Sequence, residues 1–176
     1  MTEPYYEIDI AQLAQMTGLA DVTDMSKEFI ITLISGKEAL SLLQYPVRLN
    51  AYAAIYCTQG HFDIDINVTT YRVHKDTMLL YAPGSTMQIK KSEMENLLMS
   101  EAVLVASTKE FLKEGGINFN GLFERSVKLM NNPCIKIDED GKRILADYYR
   151  LVTDLYKSCL DGAENAICSI GTSLMC

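Results

Sequence analysis

Polar and apolar residues alternate most regularly in GHFDIDINV, where Phe62, Ile64, Ile66 and Val68 are separated by Asp63, Asp65 and Asn67. A period of two sends successive side chains to opposite faces, so this segment is expected to be a strand with one buried and one wet face. From Arg48 to Ala106, short runs rich in Val, Ile, Tyr and Ala are punctuated by Gly, Asn, Pro and Asp, a pattern that predicts successive antiparallel strands. NVTTYRV reads as a turn into a return strand, KDTMLLYAPG as a buried strand ending at a Pro-Gly turn, and NLLMSEAVLVAS as another buried strand. Hairpins at this spacing predict a small barrel or sandwich. Ahead of them, IAQLAQM reads as a short helix and KEFIITLI as a strand.

After Ser107 the period lengthens. Gly115, Gly116 and Asn118 open a loop, FNGLFERSVKLM reads as a short helix, and NNPC breaks it. From Asp138 to Leu160, Ile144, Tyr148, Leu151 and Leu155 recur at helical spacing with Leu145, Tyr149, Val152 and Tyr156 beside them. This predicts a long amphipathic helix with a wide apolar stripe. Gly162 ends it, and Ala163, Ile167, Ile170 and Leu174 start a second helix, expected to run antiparallel to the first. The apolar pattern is still running in SIGTSLMC, so the protein is expected to continue beyond this stretch. The organisation that follows is α+β: an N-terminal arm with a short helix and strand over 1–36, a β-barrel over 37–117, and a helical segment over 118–176.

Composition narrows the class. The 176 residues, 48% hydrophobic and 22% charged, suit one main globular domain. Sixteen Lys plus Arg against 23 Asp plus Glu give a net charge of -7 with no basic run, which argues against direct nucleic-acid binding by this chain. No signal-like N-terminus and no long apolar stretch occur, so a soluble, cytoplasmic protein is expected. Cys57, Cys134, Cys159, Cys168 and Cys176 form neither an even framework nor a C-x-x-C pair, and are expected to be reduced thiols.

The stretch YPVRLNAYAAIYCTQGHFDIDINVTTYRVHKDTMLLYAPGSTMQI, followed by two helices, resembles the N-terminal ligand-binding and dimerisation domain of AraC-type transcriptional regulators, over roughly Tyr45 to Cys176. The resemblance implies a cupin-like antiparallel β-barrel (a double-stranded β-helix or jelly roll) with a C-terminal helical hairpin. It further implies a small-molecule effector, a homodimer, and a DNA-binding helix-turn-helix part missing from this chain. Metal-binding cupins are similar too, and carry H-x-H, a Glu, then a Gly, with a further His after the Pro-Gly turn. Setting Gly60 as that glycine puts Ala53 at the Glu position, either Val47 and Leu49 or Pro46 and Arg48 at the first His positions, and Met87 at the last. None is a metal ligand, so no metal, no cofactor and no enzymatic activity are expected.

A barrel without that chemistry offers an enclosed, largely apolar binding site. On RLNAYAAIYC one face carries Arg48, Asn50, Tyr52, Ala54 and Tyr56, the other Leu49, Ala51, Ala53, Ile55 and Cys57, and the pattern leaves open which face lines the interior. If the first does, Arg48, Asn50, Tyr52 and Tyr56 are ligand-binding candidates. Met87 and Ile89 after the turn, with Met99 and Ser100 on the strand expected nearby, complete the candidate set. His61 and His74 could form a metal or acid-base pair, but each adjoins a turn with no carboxylate or cysteine at ligand spacing, so they read as surface residues, and Asp63 and Asp65 as a solvated strand face. Tyr148, Leu151, Val152 and Leu155 are the candidates for a dimer interface. Met78, Met87 and Met99, with no Trp to stack on a sugar, favour an apolar effector. Two other readings stay open: a metal-free cupin isomerase or lyase with a Tyr or His acid-base group, and a ligand-free dimerisation module with a filled interior.

Overall fold

A computed structural model of the chain describes residues 4–17, 27–118, 120–121, 124, 127, 131–158 and 160–175. In chain order the strands are β1 (Tyr6–Ile8), β2 (Phe29–Ser35), β3 (Val47–Leu49), β4 (Tyr52–Gln59), β5 (His61–Ile66), β6 (Thr69–His74), β7 (Thr77–Tyr81), β8 (Met87–Ile89), β9 (Glu101–Ser107) and β10 (Cys134–Lys136). The helices are α1 (Ile10–Met16), α2 (Gly36–Leu43), α3 (Met94–Leu98), α4 (Lys109–Glu114), α5 (Glu139–Lys157) and α6 (Ala163–Met175). The first sheet runs β1-β3-β8-β5-β6 and the second β10-β7-β4-β9-β2. Neighbours pair antiparallel, except β1, which lies parallel to β3.

Residue alternation explains the layering. On the second sheet Ile30, Ala53, Cys57, Leu79, Leu104 and Ala106 share one core with Leu49, Phe62, Ile64, Met87 and Ile89 of the first sheet. The intervening residues of the same strands, Phe29, Ile31, Ala54, Tyr56, Val103 and Val105, form a second core with Phe111, Leu112, Val152 and Ile167. The second sheet therefore lies between the first sheet and the helices α4, α5 and α6. That is why FIITLIS and EAVLVAS read as continuous apolar runs, whereas β5, wet on one side, alternates.

The expected elements are present at IAQLAQM, KEFIITLI, GHFDIDI, TTYRVH and TMLLY, and in the two C-terminal helices. Two expectations need correction. NLLMSEAVLVAS is not one strand: Met94–Leu98 is helical and the strand begins at Glu101. Val68 does not continue the buried face of β5, because the chain turns at Asn67, φ 55°, and leaves Val68 fully exposed. Among the described residues of 1–36, β1 joins the first sheet, β2 the second, and Ile10 and Leu13 of α1 are buried in the first core. The helix expected over 119–130 lies mostly outside the described residues. The sequence reading also had no place for α2, α4 or β10.

Local chemistry sets the helix starts. Asp9 accepts from the Gln12 amide at 2.8 Å while the Gln12 side chain accepts from the Asp9 amide at 2.9 Å. Ser35 and Glu38 form the same reciprocal box at the head of α2, and Asp138 caps α5 through the Gly141 amide at 2.8 Å. Gly36 is required where it stands: a Cβ there would fall 1.9 Å from the Leu97 carbonyl oxygen. This contact lets α2 butt against the end of α3.

Candidate functional site

Between the two sheets lies a cavity of about 40 Å³. The first sheet contributes Leu49, Phe62, Ile64 and Met87 to its wall, and the second Ile34, Ala53, Ile55, Ala102 and Leu104. Ala39, Leu42 and Leu43 of α2 and Leu97 of α3 form a third side, with Ser100 and Glu101 at one end. The Ser100 hydroxyl lies 2.8 Å from the Asn96 carbonyl oxygen and 3.3 Å from that of His61, so it is engaged with backbone. The void exists because neighbouring strands of the second sheet present small residues towards the first sheet. Ala53 and Ala102 leave unfilled the depth that a larger side chain would occupy.

The structure decides which face of RLNAYAAIYC points inward. Leu49, Ala53 and Ile55 line the cavity and Val47 is buried beside it, paired across the ladder with Met87. The positions matched to metal ligands in metal-binding cupins, Leu49, Ala53 and Met87, are thus directed into the interior and are all apolar. Among the described residues, no group of three or more His, Cys, Asp or Glu side chains converges as a metal site would require.

The other face turns away, so four sequence candidates do not reach the cavity. Arg48 lies over the Tyr5 ring at 3.9 Å and donates to the Tyr5 hydroxyl at 2.9 Å and to Thr86 Oγ1 at 3.4 Å, with its Nε buried and unpaired. Asn50 is exposed. Tyr52 and Tyr56 belong to the helix-side core, where burial raises both hydroxyl pKa values. The Tyr56 hydroxyl donates to Asp76 at 3.2 Å, and Asp76 pairs with Lys142 of α5 at 2.8 Å. Of the remaining candidates, Met87 and Ser100 line the cavity and Ile89 is buried in the surrounding core. Met99 is 73% exposed at the end of α3 and points elsewhere.

Tyr81, at the start of the Pro-Gly turn, ties the sheets together. Its hydroxyl donates to the Ser85 carbonyl oxygen at 2.5 Å and accepts from the Leu49 amide at 3.0 Å. Burial pushes its pKa up to about 12. The turn thus fixes β3 against β7 at one end of the cavity.

On α5, Val152 is completely buried against the second sheet, and Leu145, Tyr149, Leu155 and Tyr156 pack there with it. Val152 is therefore taken up by the chain's own core and not presented to a partner. Ile144 and Leu151 remain 49% and 48% exposed, with half-buried Tyr148 between them. These three, spaced four and three apart, form an apolar stripe on the outer side of the helix. Among the described residues, no helix is long and apolar enough to cross a membrane.

No protein-family model and no curated protein matches the chain. Among solved structures it is similar to apo ToxT from Vibrio cholerae, with a TM-score of 0.46 and 8% identity over 83% of this chain and 53% of that one. It is also similar to the AraC-like transcriptional activator CuxR, with a TM-score of 0.41 and 9% identity over 84% of this chain and 48% of that one. The EutQ protein of Clostridium difficile gives a TM-score of 0.36 and 12% identity, over 49% of this chain and 58% of that one. The chain spans about half the length of these proteins.

Proposed function

We propose that this chain is the effector-sensing and dimerisation part of an AraC-type transcriptional regulator, a non-catalytic cytoplasmic protein whose DNA-binding part is a separate segment. The observation that carries the proposal is the apolar cavity between two sheets, lined by Leu49, Ala53 and Met87, the positions that the resemblance matches to the ligands of metal-binding cupins. Among the described residues of its wall Ser100 and Glu101 are the only polar ones, and the reading that follows is a small, mainly apolar effector.

The layering supplies a route from effector to helices. On β4 and β9, Ala53, Ala102 and Leu104 touch the cavity, while Ala54, Val103 and Val105, one residue away, touch the helix side. An effector that spreads the sheets shifts the surface on which α5 is seated, and the relative weight of two arrangements of the dimer changes with it.

At about 40 Å³ the cavity is far below the roughly 300–1,000 Å³ of small-molecule sites. Binding therefore requires its wall to move, and the short helices α2 and α3 are the parts with least sheet structure holding them. The same volume favours a second reading, a dimerisation module whose interior is filled by its own side chains.

Thermal unfolding against sugars, aromatic acids and aliphatic acids separates the two. A compound at 100 times its dissociation constant adds about 2.7 kcal/mol, which moves the midpoint by several degrees. The sensor reading expects a shift with one apolar class, abolished in a folded Ala53→Phe protein that fills the cavity. No shift with any class leaves the dimerisation module. For the dimer, Leu151→Asp is expected to give a soluble monomer on sedimentation, and a mutant that still sediments as a dimer places the interface elsewhere.

A further inference from the structure

The chain has two histidines in 176 residues, and the β5–β6 ladder sets them directly opposite each other: His61 pairs with His74 at its open end. Just outside them the Lys75 amide donates to the Gly60 carbonyl at 3.0 Å. The histidines therefore occupy a non-hydrogen-bonded position of the ladder, where opposed Cα atoms approach to about 4.5 Å. Directly opposed residues project from the same face of the sheet, and both of these are exposed. Two imidazoles so placed can converge on a single ion. Turn-adjacent and on the surface they are, as the sequence indicates; their direct opposition across the ladder was not visible there.

A second observation points the same way. His74 Nδ1 lies 3.1 Å from the Lys75 carbonyl oxygen and 2.9 Å from Thr77 Oγ1. The Lys75 carbonyl only accepts, so the bond to it requires the proton on Nδ1, and in that tautomer, which the Thr77 hydroxyl can also accept from, the lone pair is on Nε2. Metal-binding histidines are oriented in this way, by a backbone or side-chain acceptor on the nitrogen that does not ligate. Asp63, two residues along the same face, is already held by Arg72 at 2.8 and 2.9 Å. No third protein ligand joins the pair among the described residues.

We propose that His61 and His74 form an open two-imidazole site for a divalent transition-metal ion of the Zn2+, Ni2+ or Cu2+ class, with water in the remaining positions. Ca2+ and Mg2+, which take oxygen ligands, are excluded by the donor set. The ion would cross-link the start of β5 to the end of β6. This end of the hairpin carries two connections: the His61 carbonyl accepts from Ser100 at the cavity wall, and Asp76, next to Thr77, holds Lys142 of α5. The site thus shares one end of the hairpin with a contact to the cavity wall and a contact to α5, and an ion there would stiffen that end.

The test is titration of the intact chain with Zn2+, Ni2+ and Cu2+ as free ions by calorimetry, with Cu2+ also followed by electron paramagnetic resonance. One ion per chain is expected, with nitrogen hyperfine structure from two imidazoles and no response to Mg2+. His61→Gln and His74→Gln should each weaken binding by at least about tenfold, and Thr77→Val, which keeps both ligands but loses the hydroxyl beside Nδ1, by about tenfold. Unfolding midpoints measured with EDTA show that the variants are folded. Unchanged affinity in the double His→Gln protein would assign the ion to thiols or another group and overturn the site, as would the absence of binding at millimolar metal. Neither result depends on the effector.

Discussion

The two faces of the second sheet are filled in opposite ways. Towards the first sheet it presents Ala53, Ala102 and Ala106, and a void remains. Towards the helices it presents Phe29, Tyr52 and Tyr56, with Phe29 stacked on Phe111 at 5.1 Å between ring centroids. That side is also tied by polar contacts: Tyr156 of α5 donates to the Phe29 carbonyl at 2.9 Å, and Tyr56, Asp76 and Lys142 form a chain from β4 to the helix. One face is loosely filled and apolar; the other is closely filled and fastened. A sheet built this way can change shape on its slack side and still carry its helices along as a fixed load.

The contrast is broken most severely by emptying the close-packed side. Phe29→Ala removes a fully buried ring and is expected to cost about 3–5 kcal/mol, measured by urea unfolding. A loss below 1 kcal/mol would mean that the helix side is as slack as the cavity side. Next, Tyr81→Phe leaves the buried Leu49 amide without its acceptor and should cost about 1–3 kcal/mol. The sharpest comparison uses adjacent residues. Ala53→Val adds apolar volume where there is room, and is expected to stabilise by about 1 kcal/mol. Ala54→Val adds the same volume on the filled face, and is expected to destabilise by about 1–3 kcal/mol. Equal effects at the two positions would remove the distinction.

The smallest effect concerns the fastening itself. Lys142 beside Asp76 holds that carboxyl below the usual carboxylate range. A folded-state pKa below the unfolded one stabilises the fold above the ordinary carboxylate value, and that contribution disappears as pH falls through the lowered one. Lys142→Ala should therefore raise the Asp76 pKa, read from carboxyl NMR shifts between pH 2 and 6, and flatten the acid limb of stability. An unmoved pKa would show that the pair does not form in solution.

Much of this could be read from the chain. The period of two in HFDIDI, the apolar runs of β2 and β9, and the helical spacing from Ile144 to Leu155 all report burial directly. What escaped was set by contacts between distant segments. Leu97 and Leu98 extend an apolar run and look like strand, yet Met94–Leu98 turns into a helix that packs Leu97 inward and leaves Leu98 exposed. The α2 start was signalled by Ser35 and Glu38 at capping-box spacing, a local cue that went unused. The inward face of β4 had no such cue. Tyr52 is half-buried and Tyr56 buried on the helix side, and Ala53 is buried against the opposite sheet, so polarity alone could not separate a ligand-facing strand side from a helix-facing one. The cavity residues of α2 and α3 followed from neither pattern, since they come together only in the folded chain.

The long ladder of the second sheet has a consequence for how this molecule comes into being. β2 pairs with β9 from Phe29 opposite Ser107 to Ser35 opposite Glu101, and β4 fills the other side of β9. The strand at the middle of this arrangement is thus among the last of its sheet to leave the ribosome. Until it does, the apolar run of β2 has no partner, and a large chain loop must close before pairing rewards it. Synthesis and refolding therefore pass through a stage in which FIITLIS is an unpaired sticky strand. The span from Glu101 to Ser107 is the piece whose arrival ends that exposure.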